Sequence, residues 1–126
     1  MPKQILDLPS SPPALGPYSV AVGVGDLVFL SGQVAMDPAT GERAPDEIEA
    51  QTRRVLDNIG SILTDLHLGY PDVVKTTIFL ADIADYAIVN EIYSGYFDTD
   101  PPARSAVQAG ALPGGFLIEI EAIACR

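Results

Sequence analysis

The chain has 126 residues, of which 48% are hydrophobic, and its 17 acidic and 7 basic residues give a formal net charge of -10. This length suits one compact domain over residues 1–126, with little room for a second. A strongly negative field repels the phosphate backbone of nucleic acid and anionic membrane surfaces, so neither is an expected partner. No run approaches the roughly 18 apolar residues of a membrane span, and the single cysteine, Cys125, excludes an internal disulfide, so we expect a cytoplasmic protein.

The N-terminal part of the chain predicts an arm followed by a hairpin. Four prolines between Pro9 and Pro17, together with serine and glycine, resist regular structure and indicate an extended arm. Two short β-rich runs follow at residues 18–24 and 27–32, and the Gly25-Asp26 pair between them is typical of a hairpin turn. The sheet is therefore expected to start here.

A helix and a buried strand are predicted next. Asp46 and Glu49 have the spacing of a capping box, and the apolar residues after them recur at helical spacing. We expect this helix to run to about His67 and to be stopped by Gly69. Residues 73–80 predict a strand that is apolar on both faces, with Val74, Ile78 and Leu80 on one side and Val73 and Phe79 on the other. Such a strand needs cover on both faces.

The second half completes an α+β pattern. An amphipathic helix at roughly residues 85–97 carries Asn90 as the polar member of an apolar stripe formed by Tyr86, Val89, Tyr93 and Phe97. Two further strands are expected at residues 103–111 and 116–125. The order β-β-α-β-α-β-β predicts a mixed sheet with two helices on one face. The other face carries apolar side chains that a monomer would expose to water, so we expect a homo-oligomer.

Arg104 is the single charged residue between Pro101 and Ile118. A guanidinium keeps its proton inside a protein, so an arginine in a strand of small and apolar residues requires an anion opposite it. Two interpretations are open at this point. The anion is either a carboxylate of the chain, with Glu119 or Glu121 as the partner, or a ligand carboxylate held by two parallel hydrogen bonds.

The sequence gives little support for a nucleophilic hydrolase or for a metal site built on nitrogen or sulfur. The only histidine, His67, lies at the predicted end of a helix, where it would interact with the terminal carbonyls. Cys125 is next to the last residue, no Cys/His cluster exists, and no acidic loop has the spacing of a calcium site. We therefore expect no metal site.

Seven short segments form a recognisable set. They are Gly16-Pro17-Tyr18-Ser19, Val28-Phe29-Leu30-Ser31-Gly32-Gln33, Asp37-Pro38-Ala39-Thr40-Gly41, Val73-Val74-Lys75-Thr76-Thr77, Val89-Asn90-Glu91-Ile92-Tyr93, Pro102-Ala103-Arg104-Ser105 and Ile118-Glu119-Ile120-Glu121-Ala122-Ile123-Ala124. Together, in this order, they resemble the RidA/YjgF family of reactive-imine deaminases over nearly the whole chain. The resemblance implies a chorismate-mutase-like fold, a homotrimer with ligand clefts at its subunit interfaces, and cofactor-free hydrolysis of 2-imino acids and enamines, such as 2-aminoacrylate or 2-iminobutanoate, to 2-keto acids and ammonia.

The resemblance also implies three catalytic roles. Arg104 would clamp the substrate carboxylate and so orient the imine carbon. Glu119 would orient or deprotonate the attacking water, although a partner for Arg104 or for a neighbouring lysine is an equally weighted role. Tyr18 would close the pocket from a neighbouring subunit, the alternative being an ordinary core or interface aromatic.

Four further positions match substrate-binding positions of the family. Ser31 and Gly32 would form a loop whose backbone approaches the ligand, although Ser31 could equally satisfy a strand end. Asn90 would lie near the pocket, or would be a structural hydrogen bonder on its helix. Ala106 stands where many members carry cysteine, so only backbone contacts could persist there. The segment 98–101 is also short, which leaves pocket size and substrate preference open.

Two other functions compete with the deaminase. A non-catalytic module could use Arg104 to hold a 2-keto acid or another small carboxylate as a signal. Some members of the resembled family have been described as endoribonucleases, but the net charge of -10 argues against RNA as a substrate here.

Overall fold

The computed structural model describes residues 1–11 and 14–126, and within them it has one mixed six-stranded sheet and two α-helices. The strands and helices in chain order are β1 (Gln4–Ile5), β2 (Ala21–Val24), β3 (Leu27–Gln33), α1 (Ile48–Asp65), β4 (Val73–Leu80), α2 (Tyr86–Tyr96), β5 (Ala103–Gln108) and β6 (Ile118–Cys125). The strand order is β1-β2-β3-β6-β4-β5, in which β4 and β5 are parallel and every other neighbouring pair is antiparallel. The predicted α+β class is confirmed.

Both helices cover the same face of the sheet. From α1, Leu56, Ile59 and Leu63 are fully buried against the alternate residues of the central strands, such as Ile78 and Ile120. Full burial of one such side chain stabilises the fold by about 2 kcal/mol. This core fixes the central strands β6 and β4, which in turn position the neighbouring strands β3 and β5.

The opposite face of the sheet is open. Leu27 and Phe29 of β3 are 39% and 40% exposed, and Val107 of β5 is 46% exposed on the same face. These side chains alternate with the buried ones, as the two-residue period of a strand requires. The predicted uncovered apolar face is therefore present, while the homo-oligomer expected to cover it stays a prediction.

The first helix differs from its prediction at both ends. Its N-cap is Glu47, which makes no side-chain cap, so the predicted capping box of Asp46 and Glu49 is wrong. Asp46 lies one residue too early, and its carboxylate instead accepts a hydrogen bond from the Gln51 amide at 3.3 Å. The helix ends at Asp65, and His67 rather than Gly69 takes the left-handed conformation that terminates it, with φ +60°.

The strands agree with the sequence analysis except in local detail. β4 has the predicted bounds, but a register shift between Val73 and Lys75 reverses the predicted faces of its first two residues. Val73 is buried and Val74 is 44% exposed. The two-residue strand β1 was not predicted, and β2 starts later than expected. The predicted arm between residues 9 and 17 includes Pro12 and Pro13, which lie outside the described residues.

The last two strands are shorter than predicted. β5 ends at Gln108, and a short 3-10 turn at Pro113–Gly115 precedes β6. Gly114 within that turn has φ +78°, a conformation that favours glycine. Neither α-helix within residues 1–11 and 14–126 combines the length and the apolar character of a membrane span.

Candidate functional site

Arg104 projects from the edge strand β5 toward helix α2. Its Nη2 donates a hydrogen bond to the Tyr86 hydroxyl at 3.0 Å. Its guanidinium carbon also lies 5.5 Å from the centre of the Tyr86 ring and 4.9 Å from that of Tyr93, within the range of cation–π attraction. Among residues 1–11 and 14–126, no carboxylate lies within 4.0 Å of this guanidinium. The positive charge of Arg104 therefore lies against two aromatic rings, and no carboxylate in the described part of the chain neutralises it.

Asn90 and Ala106 lie on the same side of the sheet as Arg104. Asn90 is half-buried on α2, and its Oδ1 is a buried acceptor with no hydrogen-bond partner in the described structure. Ala106 follows Arg104 by two residues on β5, so the two side chains share a face. A buried oxygen without a donor is costly, which makes Asn90 a candidate contact for a ligand N–H group or for water. We call Arg104, Asn90 and Ala106 the arginine group.

Glu119 lies on β6 directly over Gly32 of β3. A Cβ atom on Gly32 would lie 2.8 Å from Cδ and 3.0 Å from Cγ of Glu119, and it would collide with Oε2. A larger residue at position 32 would therefore displace this carboxylate from its place over the strand. Burial is the main cause that raises the pKa of Glu119 above its usual value, and the negative charge of Glu121 adds to it.

Ser31 and Gly32 form a β-bulge beside Glu119. Leu30 pairs with Ala122 and Gln33 pairs with Ile120, so two residues of β3 face the single residue between these positions on β6. The Ser31 hydroxyl donates to the Ser19 carbonyl at 2.6 Å, which is the strand-end role that the sequence analysis left open. The bulge brings the backbone of β3 close to the Glu119 carboxylate.

Tyr18 completes this second group at the rim of an open cleft of about 810 Å³. Tyr18 is 51% exposed, and its hydroxyl accepts a weak hydrogen bond from the Leu15 amide at 3.4 Å. The cleft is also lined by Ser31, Gly32 and Glu119. We call Tyr18, Ser31, Gly32 and Glu119 the glutamate group.

The two groups project from opposite faces of the sheet. Arg104 pairs with Thr76 of β4, whereas Glu119 pairs with Phe79. Positions 76 and 79 are three residues apart, and residues an odd number apart on a strand point to opposite faces. Within one chain the sheet separates Arg104 from Glu119, and Glu121 shares the face of Glu119. The internal salt bridge considered for Arg104 is therefore wrong for both glutamates.

Three residues near these groups were not singled out as site residues from the sequence. Tyr86 and Tyr93 contact Arg104, and their place on the predicted stripe of α2 was the available signal. Arg43 lines the cleft of the glutamate group, where its Nη1 donates to the Gly114 carbonyl at 2.6 Å and its guanidinium stacks 3.8 Å from the Phe116 ring centre. No local motif marks Arg43, because it reaches the cleft across 71 residues of sequence.

The acidic residues do not gather into a metal site in the described ranges. No group of three or more His, Cys, Asp or Glu side chains there could hold a metal ion. The glutamate group offers one half-buried carboxylate, whose pKa is raised by burial and by the charge of Glu121. Its chemistry is that of a proton acceptor or donor.

Comparison with known proteins gives the family. The model of the family described as "Endoribonuclease L-PSP" matches residues 9–126. The chain belongs to this family. Reactive Intermediate Deaminase A of Arabidopsis thaliana is 49% identical over 122 residues, covering 97% of this chain and 65% of the relative. The 2-iminobutanoate/2-iminopropanoate deaminase of Bos taurus is 44% identical over 124 residues, covering 98% of this chain and 90% of the relative.

A solved structure agrees with these sequence matches. The crystal structure of E. coli TdcF with bound serine superposes with a TM-score of 0.91 at 40% identity, covering 98% of both chains. The family match and the two relatives with deaminase names confirm the resemblance to the RidA/YjgF family and the prediction of a deaminase-like enzyme. The family description includes the term endoribonuclease, but the net charge of -10 still argues against RNA as a substrate of this member.

Proposed function

We propose that the protein hydrolyses reactive 2-imino acids and their enamine tautomers to 2-keto acids and ammonia. The observation that carries this proposal is the Arg104 guanidinium, which no carboxylate in residues 1–11 and 14–126 neutralises. The deaminase names of relatives that are 44% and 49% identical support the reaction class. Small substrates such as 2-aminoacrylate and 2-iminobutanoate carry the carboxylate that this arginine would bind.

The proposed reaction needs an anchor, a water and a proton carrier. Arg104 holds the substrate carboxylate through two charge-assisted hydrogen bonds, which fixes the C=N carbon in place. Water adds to the carbon of the protonated imine (C=NH2+) while Glu119 takes one proton from the water, so the nitrogen becomes a neutral amine. Glu119 then gives that proton to the amine, the C–N bond breaks and ammonia leaves. The hydroxyl proton passes to Glu119 as the C=O bond forms, and it finally leaves with ammonia as ammonium. No cofactor is needed.

The raised pKa of Glu119 suits both halves of this cycle. A carboxyl group with an ordinary pKa is a weak proton acceptor at neutral pH, and burial moves it toward the working range. Gly32 makes room for the carboxylate, and the bulge at Ser31 brings backbone groups to the same place. Tyr18 closes the cleft, and the unpartnered Oδ1 of Asn90 accepts from the substrate nitrogen or from water.

We further propose that the site is shared between subunits of a homotrimer. Arg104 and Glu119 project from opposite faces of one sheet, so both can act on one substrate only when different chains supply them. The open apolar face around Phe29 and Val107 supports such an assembly. Ala106 then contributes backbone contacts next to Arg104, at the edge strand that faces the neighbouring subunit.

The first experiment tests turnover. A serine or threonine dehydratase releases the imine, and its disappearance is followed against semicarbazide trapping with and without the purified protein. We expect acceleration by the wild type, none by Arg104→Ala, and unchanged acceleration by Arg53→Ala, which removes an exposed arginine of α1. Acceleration that survives Arg104→Ala would contradict the anchor role.

A binding measurement on the same proteins separates the deaminase from a carboxylate-binding module. Calorimetric titration with 2-oxobutanoate, a product of the proposed reaction, reports binding to Arg104 whether or not turnover occurs. Binding that depends on Arg104, without any acceleration by a folded protein, would reject catalysis and favour the binding module. A variant of Arg104 that fails to fold or assemble would indicate a structural role.

The second experiment tests the shared site. Arg104→Ala and Glu119→Gln are coexpressed with different tags, and mixed assemblies are purified through both tags. Each variant alone should be inactive, whereas a trimer that contains both variants has a native Arg104–Glu119 pair at one of its three interfaces, about one third of the total. Recovery of about that fraction of wild-type activity supports the shared site. Mixed assemblies that stay inactive would contradict it, and light scattering reports whether the assembly is a trimer.

A further inference from the structure

Tyr86, the first residue of α2, holds Arg104 from outside the sheet. Its hydroxyl accepts a hydrogen bond from Arg104 Nη2 at 3.0 Å, and its ring lies 5.5 Å from the guanidinium carbon. The Tyr93 ring, two turns further along α2, approaches the same group at 4.9 Å. Tyr93 is itself fixed, because its hydroxyl is hydrogen-bonded to the Thr76 hydroxyl at 2.7 Å. The two rings and one hydroxyl restrict a side chain that is otherwise highly flexible.

A neutral hydroxyl is a suitable partner for an anchor that must remain charged. It uses one of the five N–H donors of the guanidinium and leaves four, which is enough for a two-pronged carboxylate. A carboxylate in the same place would cancel the charge that attracts the substrate. An ionised tyrosine would do the same, since a phenolate is an internal anion that competes for the guanidinium.

We propose that Tyr86 is a positioning residue for Arg104. While the Tyr86 hydroxyl is protonated, it orients the guanidinium for the substrate carboxylate. Once Tyr86 is ionised, its phenolate competes with that carboxylate for the guanidinium. This inference rests on the proposed function, because it assigns a role at the same site. Tyr86 touches Arg104 and is not proposed to contact the reacting atoms.

The surroundings of Tyr86 favour this competition at alkaline pH. Hydrogen bonding by the Asn90 side chain is the main cause that lowers the pKa of Tyr86, and the charge of Arg104 adds to it. Burial instead raises the pKa of Tyr93, the other tyrosine beside Arg104. From β4, the group facing Arg104 is the uncharged Thr76, and Lys75 bonds Ser105 on the opposite face. As the pH rises, Tyr86 is therefore the first of these groups to change the charge beside Arg104.

Tyr86→Phe is the deciding variant because it keeps the ring and removes only the hydroxyl. Tyr86 is 40% exposed, so the variant should fold, which circular dichroism checks. The matched control is Tyr96→Phe on the same helix, whose hydroxyl donates to Asp57 and is not bonded to Arg104. The probe is 2-oxobutanoate, titrated calorimetrically over a range of pH, together with the coupled turnover assay.

We expect Tyr86→Phe to weaken 2-oxobutanoate binding and to raise KM by about fivefold to tenfold, the effect of one hydrogen bond to a charged group at a partly exposed site. The loss should fall on KM, with kcat changing by less than about twofold. Wild-type binding should weaken as the pH rises toward the usual tyrosine range, and this alkaline decline should be absent from Tyr86→Phe. Tyr96→Phe should follow the wild type throughout.

The outcomes distinguish this inference from the proposed function. Tyr86→Phe with wild-type affinity or tighter binding, or with the wild-type alkaline decline, overturns the role of Tyr86. A wild type that binds 2-oxobutanoate through Arg104 without turnover rejects the deaminase, while the binding data still decide the role of Tyr86. A wild type that neither binds 2-oxobutanoate nor accelerates imine disappearance overturns both.

Discussion

Gly32→Ala tests the contact at the centre of the glutamate group. The added Cβ would lie 2.8 Å from Cδ of Glu119, closer than side-chain atoms normally approach, and it would collide with Oε2. Gly32 is not among the residues with positive φ, so alanine fits the backbone and the collision is the main effect. The contact is with the end of a flexible, half-buried side chain, so its cost lies in the lower part of the range for overpacking, about 1–2 kcal/mol. Removal of a glycine returns about 0.4–1 kcal/mol through the unfolded state.

The net expectation is a loss of about 1 kcal/mol in the free energy of unfolding, measured by urea denaturation at fixed protein concentration. In a Glu119→Ala background the side-chain atoms that the new Cβ would meet are absent, so Gly32→Ala should be neutral or slightly stabilising. The double-mutant cycle should therefore give a coupling energy of about 1–2 kcal/mol between positions 32 and 119. Gly95→Ala is the control, because nothing lies within 4 Å of its added Cβ and alanine favours the helix.

A coupling energy below about 0.5 kcal/mol would refute the reasoning, since it would mean that Glu119 does not occupy the space over Gly32. A loss of stability for Gly32→Ala that persists unchanged in the Glu119→Ala background would have the same meaning. The turnover assay adds a second check. Displacement of the carboxylate in Gly32→Ala should lower kcat more than it raises KM, because Glu119 is proposed to act on water and not to bind the substrate.

Three further outcomes follow from the described contacts. Because the pKa of Glu119 is raised in the folded state, ionisation of Glu119 destabilises the fold above the folded pKa and has no effect below the unfolded pKa. Glu119→Gln should therefore raise the free energy of unfolding near neutral pH but not in acid, as urea denaturation at the two pH values would show. Gln51→Leu should cost about 2 kcal/mol in the same assay, because buried Gln51 accepts from the Leu117 amide at 2.9 Å and donates to the Pro45 carbonyl. His67→Gly should raise the melting temperature by removing a non-glycine residue at φ +60°, and an unchanged value would show that His67 is not strained.

The regular elements could be predicted because their patterns are local. The helical spacing between Ile48 and Leu63 and the β-rich run from Val73 to Leu80 record which side chains face the core. Element ends were less accurate, because they depend on single backbone conformations. His67 ends α1 in the left-handed region, where the sequence suggested that Gly69 would act.

The candidate site was only partly predictable for a different reason. Family motifs pointed to Arg104 and Glu119, but the face of the sheet that each occupies follows from strand register, which a β-bulge changes by one residue. The contact between Glu119 and Gly32 joins β6 to β3 across most of the chain. The hydrogen bond between Arg104 and Tyr86 joins an edge strand to a helix, and neither residue alone carries a signal of it.

The opposite placement of Arg104 and Glu119 makes protein concentration a variable of catalysis. Under the proposed shared site, a dissociated chain holds only half of the catalytic groups even while it stays folded, so dilution below the dissociation constant of the assembly should abolish turnover without unfolding the chain. Apolar contacts remote from substrate would then control activity. A polar substitution at Phe29, which is 40% exposed on the open face, would act by shifting the assembly equilibrium, and higher protein concentration would reverse its effect.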